Sequence, residues 1–161
     1  MTATIFGVAV LAVQLLIVST VVMLLYRGWK KRSSAVARGE IEVGVDGGRS
    51  IPLMASFAGV RGMPWWFAVA TNNARPLLEI LRSGLRYRVI RKRERSFAEI
   101  ERVDVRTFWK TVNLDIAFRG DLLTLAANVG TLERAREALA LFPPGVPMTP
   151  RAQAVLAGRA I

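Results

Sequence analysis

The sequence contains no cysteine and no histidine. Without cysteine the chain can form neither a disulfide framework nor a thiolate metal site. Without histidine it lacks the commonest general base and the commonest ligand of transition metals. An enzyme of this composition would have to find its acid, base or nucleophile among carboxylates, hydroxyls and a few lysines.

The motifs that usually accompany catalysis are missing as well. The sequence has no Gly-rich phosphate loop, no GxSxG elbow and no carboxylates at metal-ligand spacing. Glu99 and Glu101 come closest to a catalytic pair of carboxylates. Ser96 and Glu99, however, match a capping box, in which the glutamate side chain caps the N-terminus of a helix. We therefore predict a protein that is not an enzyme and that has no catalytic residue, no cofactor and no metal ion.

Positive charge is abundant. The chain carries 23 lysines and arginines against 12 acidic residues, a formal net charge of +11. Such a surface favours anionic partners, which include phospholipid headgroups, nucleic acid and acidic protein surfaces. Net charge alone does not choose among them.

Residues 5–26 form an uncharged, apolar run that would be about 33 Å long as a helix, enough to cross a bilayer core of about 30 Å. We predict a transmembrane anchor over residues 1–32. Gln14 lies near the middle of this run, where its amide either contacts another helix or is tolerated alone. Basic residues and an interfacial tryptophan follow the run: Arg27, Trp29, Lys30, Lys31 and Arg32.

Because positive flanks stay in the cytoplasm, the predicted location is the inner (plasma) membrane, single-pass, with the N-terminus outside and the C-terminal domain cytoplasmic. We predict a linker over residues 33–40, a folded domain over 41–145 and a tail over 146–161 that is either frayed or a short helix. The apolar residues Trp65, Trp66 and Phe67 belong either to the core or to the membrane interface.

The domain has the patterns of an antiparallel β protein with one helix near its end. Val112, Leu114, Ile116 and Phe118 alternate with more polar residues, which is typical of a half-buried strand. Thr131 is a good N-cap for a helix over residues 132–142. Strands are predicted at 41–45, 67–71, 77–81, 85–90, 103–105, 112–118 and 122–127.

The order of these elements over residues 76–142 resembles the second half of bacterial pleckstrin-homology-like domains. The resemblance implies a mainly β (α+β) roll of about seven antiparallel strands, closed by a C-terminal helix. It also implies a binding or scaffolding role, often attached to membrane helices. Arg86, Tyr87 and Arg88 are similar to the basic-x-basic element of that family's inositol phosphate pocket, but they fall in the fourth predicted strand and not in an early hairpin.

One short segment concentrates the positive charge. Six cations within ten residues either contact an anionic surface or are solvated charges that nearby carboxylates neutralise in part. Only Tyr87 is interleaved with them, which makes a nucleic-acid platform unlikely. The candidate contact residues are Arg86, Arg88, Arg91, Lys92, Arg93 and Arg95.

These observations favour a membrane-anchored, non-catalytic interaction module at the cytoplasmic face. It would bind a protein partner or serve as an accessory subunit of a membrane complex. The alternative is a sensor that docks on anionic phospholipid, and nucleic-acid binding is a remote third. The sequence leaves the partner and the oligomeric state open.

Overall fold

The computed structural model describes residues 14–24, 26–28, 30, 36, 39–44, 46–63, 67–108 and 111–159. The chain divides into two compact units, Met1–Ala35 and Val36–Ile161. Most of the described residues belong to the second unit. The predicted positions Trp29, Lys31, Arg32, Trp65 and Trp66 lie outside the described residues, as does most of the predicted linker.

The first unit is helical where it is described, over residues 14–24 and 26–28 and at Lys30. Gln14, Arg27 and Lys30 are exposed within it. In the described part of the chain no helix is both long and apolar enough to cross a membrane. The predictions of a single transmembrane helix and of a single-pass inner-membrane location are therefore wrong.

The second unit is built from antiparallel strands in two sheets. The strands are β1 Glu42–Val43, β2 Arg49–Ser50, β3 Ala55–Val60, β4 Ala68–Asn72, β5 Leu77–Ile80, β6 Gly84–Arg88, β7 Lys92–Ser96, β8 Ile100–Phe108, β9 Thr111–Phe118 and β10 Leu123–Asn128. The first sheet has the order β1-β2-β5-β6-β7 and the second has the order β4-β3-β10-β9-β8.

Strand β9 shows why the second sheet forms. Its even-numbered residues from Val112 to Phe118 are all buried, and in register they oppose inward residues of β8 and β10, such as Val103 and Leu125. A strand turns alternate side chains to opposite faces, so one face of β9 enters the core. The strand predicted at residues 112–118 is confirmed, but it is not half-buried as predicted, because Asn113 and Ala117 on its other face are buried as well.

A 3-10 helix and two short α-helices complete the unit. The 3-10 helix Phe97–Glu99 begins with the predicted capping box: Ser96 accepts from the Ala98 amide, and Glu99 accepts from the Ser96 amide. Helix α1, Leu132–Leu139, starts at Thr131, as predicted. Helix α2, Pro150–Leu156, lies in the predicted tail and buries Ala152 and Val155.

A single apolar core lies between the two sheets and extends under the helices. Tyr87 of the first sheet stacks on Phe118 of the second, with ring centroids 5.6 Å apart. Ser56, fully buried on β3, donates a hydrogen bond of 2.5 Å to the carbonyl oxygen of Arg88 on β6. These two contacts fix the sheets to each other at one end of the core.

The predicted fold class is wrong in its strand count as well as in its anchor. The described residues form ten strands in two five-stranded sheets, followed by two helices. Strand β3 escaped prediction because prolines on both sides and Gly59 within it resemble loop signals. Strand β7 escaped because four of its five residues are charged, which an exposed edge strand tolerates.

Candidate anion-binding site

The six predicted contact residues lie on two adjacent strands and the turn between them, but on different faces. Strands β6 and β7 pair in the register Arg86 to Glu94, Tyr87 to Arg93 and Arg88 to Lys92. Because paired positions share a face, Arg86, Arg88 and Lys92 lie on the outer face of the first sheet. Arg93 lies on the inner face, which carries the buried Tyr87.

Arg86 is neutralised on the outer face. Its guanidinium contacts three carboxylates: Nε lies 2.6 Å from Glu94, and Nη1 lies 3.1 Å from both Glu79 and Asp46. These hydrogen bonds raise the pKa of Arg86 above its ordinary value, and the bond to Glu94 has the largest effect. Its Nε and Nη1 atoms are already engaged, so this arginine links β5, β6 and β7 structurally.

Arg95 is neutralised on the inner side of β7. It contacts Glu99 at 2.9 Å and Asp121 at 2.7 Å, and its guanidinium carbon lies 5.6 Å from the centre of the Phe118 ring. The hydrogen bond to Glu99 is the main cause that raises the pKa of Arg95. The pKa of Glu99 is lowered in turn, first by the Ser96 amide and then by Arg95. Glu99 therefore acts as a helix cap and an ion-pair partner.

Arg91 and Arg93 are different. Both are exposed, and neither makes a side-chain hydrogen bond or ion pair with any residue in the described ranges. Both line a cavity of about 330 Å³ that opens between the sheets. The charge of this part of the cluster is available to a ligand.

The cavity itself is mostly apolar. Residues of β6 and the turn after it form one wall, and residues of β3, β9 and β10 form the other. Ile90, at the mouth, is 77% exposed and adds apolar surface there. The apolar lining consists of Ala58, Tyr87, Val89, Ile90, Phe118, Leu123 and Leu125.

This combination can hold an anionic group beside an apolar one. A cavity of about 150 Å³ is enough for a benzene ring, so 330 Å³ accommodates an aromatic or branched side chain. The two guanidiniums at the mouth offer planar forks that match carboxylate or phosphate oxygens. The sequence predicted both arginines, but it gave no sign of Phe118, Leu123 and Leu125, because only strand pairing brings them beside the turn at residue 90.

The described acidic residues do not form a metal centre. No group of three or more Asp or Glu side chains there could hold a metal ion. Glu101 is paired with Arg61 at 2.8 Å. The carboxylate pair that the sequence singled out, Glu99 and Glu101, is thus tied into two separate ion pairs.

The fold and the cavity define a class: an antiparallel two-sheet β domain with a basic, apolar-lined opening between its sheets. Comparison with known proteins adds no narrower assignment. No family model, no curated protein and no solved structure matches this chain. The resemblance to pleckstrin-homology-like domains stays a prediction.

Proposed function

We propose that this chain is a non-catalytic interaction module that binds an acidic segment of a protein partner. An apolar side chain of that segment enters the cavity between the sheets. A neighbouring carboxylate pairs with Arg91 and Arg93 at the mouth.

One observation carries the proposal: two arginines without ion-pair partners among the described residues border an apolar cavity. Arg86 and Arg95, only a few residues away, are both held by carboxylates. Arginines and buried aromatic or aliphatic anchors are the groups that dominate the energy of protein interfaces. The exposed Ile90 beside Arg91 adds apolar area to the contact.

The distribution of the cations favours a protein partner over a flat anionic surface. Arg88 and Lys92 lie on the outer face of the first sheet, whereas Arg93 lies on the inner face. A bilayer surface or a nucleic-acid backbone is best met by cations on one face. Here a narrow site presents two of them next to a cavity, which suits a single acidic segment.

A random peptide display library selected against the full-length chain tests this function. We expect enriched peptides to combine Asp or Glu with a large apolar residue. Their affinity, measured by fluorescence anisotropy, should fall at least tenfold in the double variant Arg91→Glu/Arg93→Glu, which corresponds to about 1.4 kcal/mol. Binding should also weaken as salt rises.

The matched control is Arg75→Glu/Arg82→Glu, which changes the net charge equally at two exposed positions outside the cavity. This control should bind like the unchanged chain. Equal loss in both double variants would mean that only net charge matters and would refute the site. Binding to anionic vesicles or to single-stranded nucleic acid, with no enriched peptide, would replace the proposal with one of the alternatives.

A further inference from the structure

A second concave surface lies on the outer face of the second sheet, on the side turned away from the core. It is a trough of about 450 Å³. Its floor is shallow because the residues that oppose one another there are small: Ala117 lies opposite Thr124, which lies opposite Gly59. In the next row Ala126 lies opposite Asp115. Larger side chains, including Phe57, Met63 and Arg102, stand around this floor.

Asn113 is the unusual residue of the trough. It lies on β9 between Arg106 of β8 and Asn128 of β10, and it is 8% exposed. Its side-chain amide lines the trough and makes no hydrogen bond with any residue in the described part of the chain. Most of the side chain is buried, but its amide nitrogen and oxygen are not fully enclosed and stay accessible from the trough.

The neighbours of Asn113 do not explain it. Arg106 is directed to Asp115, with its Nη2 atom 2.7 Å from one carboxylate oxygen and 2.9 Å from the other. The side-chain oxygen of Asn128 accepts from the Gly130 amide in the turn that follows β10. The amide of Asn113 therefore stands in the trough with its donor and its acceptor both available.

We propose that the trough is a binding site for an adenine base and that Asn113 recognises it. An asparagine amide presents an acceptor oxygen beside a donor NH2 group. This pair matches the N6 amino group and the N7 atom of adenine, the bidentate pairing by which asparagine reads that base. The small side chain of Ala126, in the row next to Asn113, leaves room for a planar ring beside the amide, and the volume of the trough fits a small ligand.

This site is separate from the basic cavity. The argument for adenine uses neither Arg91 nor Arg93. Of the described residues, only Thr124 lines both the trough and the basic cavity. The proposal of an adenine site is therefore independent of the proposed peptide-binding function, and a negative result for one does not refute the other.

Calorimetric titration of the full-length chain with three nucleosides tests the proposal. Adenosine should bind saturably. 7-Deazaadenosine lacks the N7 acceptor and inosine lacks the N6 amino donor, so each should bind at least about fivefold more weakly. Equal affinity for all three, or no saturable binding of adenosine up to millimolar concentration, would overturn the proposal.

Variants separate recognition from folding. Asn113→Leu keeps the size of the side chain but removes the amide, so it should abolish adenosine binding while the melting midpoint stays the same or rises. Ala126→Phe fills the floor without touching the amide, and it should also abolish binding. Asn73→Leu, at an exposed asparagine outside the trough, is the control and should bind adenosine normally. Unchanged binding by either trough variant would refute the site.

Discussion

Asp115 shows how a single buried charge makes stability depend on pH. It lies on the outer face of β9, where burial raises its pKa to about 6. Asp104 raises the pKa further, while Arg106 and Arg102 lower it. Between the unfolded pKa and about 6, the folded chain holds a proton at Asp115 that the unfolded chain has released. Stability from this group is therefore greatest in acid and decreases as the pH rises toward 6.

We expect Asp115→Asn to remove this dependence. Relative to the variant, the unchanged chain should lose about 3 kcal/mol of unfolding free energy as the pH rises from about 4 to above 6, because each pKa unit corresponds to about 1.4 kcal/mol. Denaturant unfolding at a series of pH values measures the difference. Glu133→Gln, at an exposed carboxyl in the first turn of α1, is the control and should follow the unchanged chain. Parallel curves for the unchanged chain and Asp115→Asn would contradict the prediction.

At the scale of elements, the first sheet depends on a close approach between β6 and β7. Gly84 begins β6 and lies opposite Ser96, the residue that caps the 3-10 helix. A Cβ atom at position 84 would lie 2.0 Å from the carbonyl oxygen of Arg95 and 2.8 Å from its carbonyl carbon. Both are backbone atoms and cannot rotate away, so the strands pair at this distance only around a glycine.

Gly84→Ala should therefore lower the unfolding free energy by about 3 kcal/mol, the upper part of the range for overpacked sites. Urea unfolding followed by circular dichroism measures it. Gly44→Ala is the control, because a Cβ atom there would make only an ordinary contact of 3.5 Å. If Gly84→Ala unfolded at the same urea concentration as Gly44→Ala, the close approach would not be a real constraint.

At the scale of the whole molecule, few polar contacts join the two sheets within the described ranges. The hydrogen bond from the fully buried Ser56 to the carbonyl oxygen of the half-buried Arg88 crosses between them. The bond lies beside the basic cavity, because two lining residues are close in sequence to its ends: Ala58 is two residues from Ser56, and Val89 follows Arg88. The bond satisfies a carbonyl oxygen in a region with little access to water.

Ser56→Ala should cost about 1 to 3 kcal/mol of unfolding free energy, because the Arg88 carbonyl oxygen would stay buried and lose this donor. Thermal and urea unfolding both measure this cost. The control is Ser50→Ala, at a half-buried serine on β2. A Ser56→Ala chain within 0.5 kcal/mol of the unchanged one, a threshold typical of surface substitutions, would show that the bond does not hold the sheets together.

The sequence predicted best where the signal is local. The capping box at Ser96 and Glu99, the N-cap at Thr131 and the strand at residues 112–118 were each predicted from residues a few positions apart, and the structure contains all three. The sequence-based prediction missed β7. Alternating apolar residues are the usual sign of a strand, but β7 lies exposed at the edge of its sheet and is made almost entirely of charged residues. The prediction also failed at the N-terminus, where no helix in the described part of the chain is both long and apolar enough to cross a membrane.

The sequence by itself determined that the domain is antiparallel β with a helix near its end, that it carries a cluster of cations and that it has neither thiol nor imidazole chemistry. Only the tertiary structure decided which cations are free. Arg86 and Arg95 find carboxylates up to 40 residues away, whereas Arg91 and Arg93 find none among the described residues. The same holds for Asn113, whose isolation follows from the side chains that flank it in register. The physical reason is that pairing between distant strands, which local patterns do not encode, decides which polar groups meet and which are left for a ligand.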